Sequence, residues 1–179
     1  MESPRGINDP SLGALAEVLV QADTVLLLGK KLDFTLGFGE PPSLAPECRI
    51  VQIDPELQVL EQTQRVLSNQ SRLVLTVLAD PTTALEAFLN LTPEHERTDT
   101  AWYDEVQASV SYRPSEWEAL SMGQKGPLHP VQVGRGAADS LRGDAAVFIS
   151  DGGEYGQWAQ SCLTASNRVI NGPSGSIGS

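Results

Sequence analysis

The apolar positions of this chain follow two rhythms. Residues 25–28 (VLLL) form an unbroken apolar run, too short for an isolated helix and bounded by Thr24 and Gly29. Such a run predicts a strand buried on both faces, as in parallel sheets flanked by helices. Residues 49–54 (RIVQID) and 73–78 (LVLTVL) repeat the plan, and further strands are predicted at 145–150 (AAVFIS) and 168–171 (RVIN). Between these runs the spacing turns helical. Asp9-Pro10 supplies an N-cap and a first-turn proline ahead of Leu12, Leu15, Ala16 and Leu19, predicting one helix that packs on the first strand. Asp80-Pro81 does the same for Ala84, Leu85, Phe88 and Leu89, and Pro130 opens a helix with Val131, Val133, Ala137 and Leu141 inward, closed by Gly143-Asp144. Residues 56–66 predict only a turn or two of helix. Leu32, Phe34, Leu36 and Phe38 alternate strictly, predicting an extended loop or strand, before Gly37, Gly39 and Pro41-Pro42 turn the chain.

Helix, strand, strand, strand, helix with short links is an α/β pattern. Its chemistry gathers at strand ends, where open α/β sheets place their ligands. Gly29 turns the backbone at the end of the first strand and Asp54 closes the second, which together make a candidate nucleotide shelf. The alternating segment after Gly29 would lie over that shelf. Later, Asp151-Gly152-Gly153 ends a strand and leads into a helix, an arrangement whose bare amides bind phosphate. A purely structural reading stands beside the functional one: glycines for tight turns, Asp54 as a helix cap, Lys30 as a solvated charge. From Thr92 to Gly126 the chain becomes acidic, with Trp102, Val106 and Val110 as helically spaced anchors, which predicts a partly helical connector. Residues 172–178 form a glycine-rich loop, a place where domains rarely end.

Composition narrows the field. The 179 residues are 40% hydrophobic, enough to bury a core. A formal net charge of -11 without a Lys/Arg cluster argues against a nucleic-acid surface. No apolar run approaches the roughly 20 residues that span a bilayer, and the first residues lack a basic region followed by an apolar core, so a cytoplasmic protein is expected. Cys48 and Cys162 are far apart and His95 and His129 lack ligand spacing, so neither a disulfide framework nor a metal site is signalled. A serine hydrolase is set aside because Gly172-Pro-Ser174-Gly175-Ser176 lacks the final glycine of Gly-x-Ser-x-Gly.

In their order and spacing, LLLGKKLDF, LGFGEPP, RIVQIDPE, ADPTTAL, LHPVQV, FISDGGEYGQWAQ and INGPSGSIGS resemble the thiamine diphosphate-dependent enzymes of the acetolactate synthase, oxalyl-CoA decarboxylase and 2-hydroxyacyl-CoA lyase group. The resemblance implies that residues 1–91 are the latter part of a Rossmann-like, parallel-sheet middle domain. Residues 92–127 would be a linker, and 128–179 the start of a second α/β domain that binds thiamine diphosphate.

It further implies a middle-domain ADP or FAD site at Gly29, Lys30, Asp54 and Asp80, although Ala79 replaces the family's glycine before Asp80. Residues 31–35 (KLDFT) differ from the Arg-Phe-Asp-Asp-Arg pattern of acetolactate synthases, which counts against flavin, and LGFGEPP is closer to the acyl-CoA lyase branch. Gly152, Gly153, Glu154 and Tyr155 would contact the cofactor diphosphate, Gly175 would offer a carbonyl to the aminopyrimidine, and Ile177 would hold the bent cofactor. Glu154 is awkward there unless backbone amides or a cation make the contact. The Mg²⁺ ligands would lie after Ser179 and the cofactor-activating glutamate before Met1, so no catalytic or metal-binding residue is expected within the chain. The whole enzyme would be a homodimer or homotetramer making or breaking a C–C bond next to a carbonyl in a 2-oxo acid or 2-hydroxyacyl substrate, and the isolated piece would be inactive. The alternative is a non-catalytic nucleotide-binding or oligomerisation module with a Rossmann-like fold.

Overall fold

A computed structural model describes residues 9–67, 71–91, 100–120, 126–151 and 153–170. They belong to two compact units, one formed by Ala16–Glu105 and one by Met1–Leu15 with Val106–Ser179. The fold is α/β, and every strand pair is parallel.

The first unit is built on a three-stranded sheet. Helix α1 (Leu15–Leu19) leads into β1 (Thr24–Leu28), followed by β2 (Arg49–Asp54), α2 (Leu57–Val66), β3 (Leu73–Leu78) and α3 (Pro81–Leu91), with β2 central. In register, Leu27 lies beside Gln52 on one face, and Leu26 beside Val51 and Leu75 on the other. The Leu27 face carries the core of Leu27, Ile50, Leu32, Leu44, Cys48 and Leu67. Beneath it, buried Arg72 ties the connecting loop down, donating from Nε to the Cys48 carbonyl (2.9 Å) and from Nη1 to the Gly39 carbonyl (2.9 Å).

Three expectations for this unit change. The first strand is not buried on both faces: Leu27 is, but Leu26 stays 45% exposed, because Leu19, Leu32, Leu44 and Leu67 all pack on the Leu27 side. The alternating segment is neither strand nor extended loop. Asp33 caps it by accepting from the Thr35 N–H, and Phe34–Gly39 form 3₁₀ turns interrupted at Leu36–Phe38, with Leu32 buried and Phe34 and Phe38 exposed. Residues 57–66 make a full ten-residue helix that buries Val59, Leu60 and Thr63, a stripe with a polar member that a purely apolar pattern understates.

The second unit contains β4 (Val147–Ser150) paired with β5 (Asn167–Ile170), and helices α4 (Thr100–Ser111, entering from the first unit), α5 (Ser115–Glu118), α6 (Pro130–Ala138) and α7 (Glu154–Cys162). Phe148, Ala159 and Leu163 form its core. Here the single helix expected from Asp9 is split. Asp9 does cap Pro10–Leu12, but Gly13 breaks the helix at φ 61°, and a Cβ at Gly13 would overlap the carbonyl oxygens of Ser109, Val110 and Tyr112 at the end of α4. The buried side of α6 is Val131, Gln132 and Gly134, while Val133 is exposed. Gly134, having no side chain, lets the Cys162 thiol of α7 close against α6, and this rotates the buried face from the one expected.

Arg113 joins the pieces of this unit. Its guanidinium donates to the carbonyls of Ser161 (3.0 Å), Val110 (3.0 Å), Tyr112 (2.6 Å) and Ser11 (3.0 Å), satisfying the carboxyl ends of α4 and α7 with one cation.

Candidate functional site

Each unit presents a glycine turn at the carboxyl edge of its sheet, a candidate strand-end site. In the first unit, the Gly29 N–H donates to the Ile53 carbonyl (2.9 Å) and the Ala79 N–H to the Asp54 carbonyl (3.2 Å), which draws the ends of β1, β2 and β3 together. Gly29 is required twice: its φ is 63°, and a Cβ would stand 2.9 Å from Cγ of Pro81, the first residue of α3. The structure therefore brings Gly29, Lys30, Asp54 and Asp80 to one edge.

The polar groups at this edge are already committed in part. Lys30 Nζ pairs with Asp33 Oδ1 (3.0 Å) and donates to the Lys31 carbonyl (2.9 Å). Burial would push the Asp33 carboxyl up, but hydrogen bonds from Thr35 and Lys30, with the Lys30 charge, outweigh it and hold Asp33 below the usual carboxylate range. Asp54 is buried, and its Oδ1 accepts from the Glu56 N–H (2.9 Å), turning the chain into α2. Asp80 caps α3, accepting from the N–H groups of Thr82 (2.8 Å) and Thr83 (3.2 Å). Carboxylates held this way have oxygen lone pairs left for hydroxyl donors, and an ammonium beside them can meet a phosphate only by exchanging partners.

Sequence reasoning missed Asp33 and Gln52 here. Gln52 is fully buried, its Nε2 donates to the Lys30 carbonyl (3.1 Å), and its Oε1 has no hydrogen-bond partner among the described residues. A polar residue inside an otherwise β-branched strand was the available signal.

In the second unit, Gly153 is the N-cap of α7 at φ 102°, with no side chain to cap the first amides, and exposed Glu154 and Tyr155 form the first turn. Gly156 allows α7 to sit against the Asp151 carbonyl and Ser150 Oγ. Gly152, Gly175 and Ile177 lie outside the described residues. An open cavity of about 530 Å³, bordered by Ala138, Leu141, Arg142, Asp144 and Cys162, lies at the opposite end of β4 from Gly153 and takes in none of the expected site residues.

Both cysteines are free, and burial pushes each thiol up, so neither is an activated nucleophile. Among the described residues no group of three His, Cys, Asp or Glu is placed to hold a metal, and no helix is long and apolar enough to cross a membrane.

No family model matches the chain. Over 169 residues, 93% of its length, it is 25% identical to the probable acetolactate synthase of Mycobacterium bovis and, to the same extent, to the acetolactate synthase large subunit IlvG of Mycobacterium tuberculosis. The chain is distantly similar to acetolactate synthases. It spans 28% of the length of each of these relatives. The aligned stretch is long enough to include residues of both strand-end sites.

Proposed function

We propose that this chain is a segment of a thiamine diphosphate-dependent enzyme that makes or breaks a C–C bond next to a carbonyl in a 2-oxo acid or 2-hydroxyacyl substrate. The observation that carries the reading is similarity to acetolactate synthases running through 93% of a chain whose two units each present a glycine turn at the carboxyl end of a parallel strand. In this reading residues 1–91 belong to the middle domain, 92–127 link, and 128–179 begin the cofactor domain of a longer, homo-oligomeric polypeptide.

The uncapped start of α7 suits a diphosphate: its amides point toward the helix N-terminus, where an anion is favoured. Backbone amides from Gly153 to Tyr155 would hold the phosphates, and Glu154 would have to point away or meet them through Mg²⁺. The bound cofactor supplies the nucleophilic carbanion and the electron sink. This chain's own residues bind and orient. At the first unit's edge, Asp54 and Asp80 would accept ribose hydroxyls of ADP or FAD, beside the turn that Gly29 makes.

A second reading, a nucleotide-binding module without catalysis, is favoured by one observation: Gly29, Lys30, Asp54 and Asp80 all meet at a single edge, whereas the thiamine diphosphate site rests here on one turn. Calorimetric titration of the full chain with ADP, FAD, and thiamine diphosphate plus Mg²⁺ separates the two. Nucleotide binding that is lost in Asp54→Ala, with no response to thiamine diphosphate, favours the module. Thiamine diphosphate binding that is weakened when Gly153 is replaced by Val favours the enzyme segment, whereas tight, Mg²⁺-dependent binding overturns the reading that the metal ligands lie outside this chain. Silence to all three ligands removes the nucleotide site and leaves the cofactor site without support.

A further inference from the structure

His129 caps α6 with its ring. Its Nδ1 accepts from the Val131 N–H at 3.2 Å, while its own backbone N–H donates to Gln132 Oε1 at 2.7 Å. The usual capping residues, Ser, Thr, Asp and Asn, offer oxygens that stay acceptors at neutral and mildly acidic pH. An imidazole does not. Only the neutral ring has a lone pair at Nδ1, and once protonated both ring nitrogens are donors.

The same ring stands in an aromatic cluster. Its centroid is 5.1 Å from that of Trp158 in α7, edge to face, and 6.1 Å from that of Trp117 in α5, and the two indoles are 5.3 Å apart. All three rings belong to the second unit. The charged side chains carried by the packed elements are Glu116 and Glu118 of α5, Arg135 of α6 and Glu154 of α7. Among the described residues none forms an ion pair with His129.

We propose that protonation of His129 releases the cap of α6, making the Trp117–His129–Trp158 cluster a pH-sensitive switch inside the second unit. In the imidazolium, Nδ1–H opposes Val131 N–H, and the ring must turn away from it. Indoles within about 6 Å attract a cation, so the ring remains among them while the helix start loosens. Histidine is the side-chain type whose charge changes between about pH 5 and 8.

The test follows the Val131 amide and the His129 ring by NMR in the full chain from pH 8 to pH 5, with tryptophan emission recorded alongside. Protection of Val131 from hydrogen exchange, corrected for intrinsic rates, should fall about fivefold as the ring protonates, the factor an N-cap interaction is worth. In His129→Asn, which retains a capping side chain that does not titrate, protection and emission should stay flat over this range. An equal fall in His129→Asn, or a wild-type ring that titrates while Val131 stays protected, overturns the proposal. The second outcome needs no variant, so it decides the matter even if His129→Asn fails to fold.

Discussion

The Cys162 thiol of α7 lies directly on the Cα of Gly134 in α6, so that a single methyl added at Gly134 would occupy the space of the sulfur. The two helices pack against each other in the second unit. Gly134→Ala is expected to destabilise that unit by about 1–3 kcal/mol, the range for overpacking a filled interior. Cys162→Ala in the same chain should recover part of the loss. Urea denaturation of the two single variants and the double variant checks this as a cycle; strict additivity would mean that the two residues do not meet.

Gly29→Ala introduces two faults at once, a left-handed φ and a collision with Pro81. The expected loss is about 1–3 kcal/mol of stability for the first unit, as for residues forced into sparsely populated backbone regions. A melting temperature equal to that of the unsubstituted chain would show that the end of β1 relaxes freely.

Asp33 should give the first unit an acid-sensitive element. Its carboxyl titrates below the unfolded value, so its contribution is present above the ordinary carboxylate range and is lost as pH falls through the lowered folded value. Asp33→Ala removes the cap of the 3₁₀ segment and should cost about 1 kcal/mol at pH 7. The difference from the unsubstituted chain should shrink toward pH 3. Chemical denaturation at the two pH values reads this, and a pH-independent difference would assign the effect to shape instead of charge.

The half-exposed apolar side of the three-stranded sheet should make the isolated chain associate. Leu26 and Leu75 lie in register on that side, and Leu85 and Leu89 of α3 are also exposed, Leu89 at 77%. β3 adds an unpaired edge among the described residues. Light scattering should report concentration-dependent oligomers, shifted toward monomer by Leu85→Lys with Leu89→Lys. A monodisperse monomer at all concentrations would show that the apolar surface is tolerated as it stands.

The α/β class was legible because β-branched runs such as 49–54 and 73–78, punctuated by Asp-Pro pairs, encode strands and caps locally. The Asp9 and Asp80 caps came from two adjacent residues each, and both are present. What sequence did not carry were choices made by distant contacts. Leu32, Phe34, Leu36 and Phe38 alternate like a strand, yet Asp33 wins by capping a turn and leaving two phenylalanines outside. Gly13 looks like an ordinary helix residue until the carbonyls of α4 arrive from about a hundred positions later. Similarly, Gly29, Lys30, Asp54 and Asp80 were readable as strand-end residues, but the pairing of Lys30 with Asp33 and the burial of Gln52 depend on how the loops close.

Arg113 reaches back to Ser11 across 102 positions, and everything from Ala16 to Glu105 lies between as a contiguous unit. Synthesis therefore separates the two units in time. The three-stranded sheet can close while the ribosome is still extending the chain, whereas the contacts of the Asp9–Leu12 segment with α4, Arg113 and the end of α7 must wait for those elements. Force profiling of stalled nascent chains should record two steps, an early one near the exit of Glu105 and a late one after Ser161. Arg113→Ala should weaken only the late step, since the Ser11 carbonyl then loses the guanidinium that holds it.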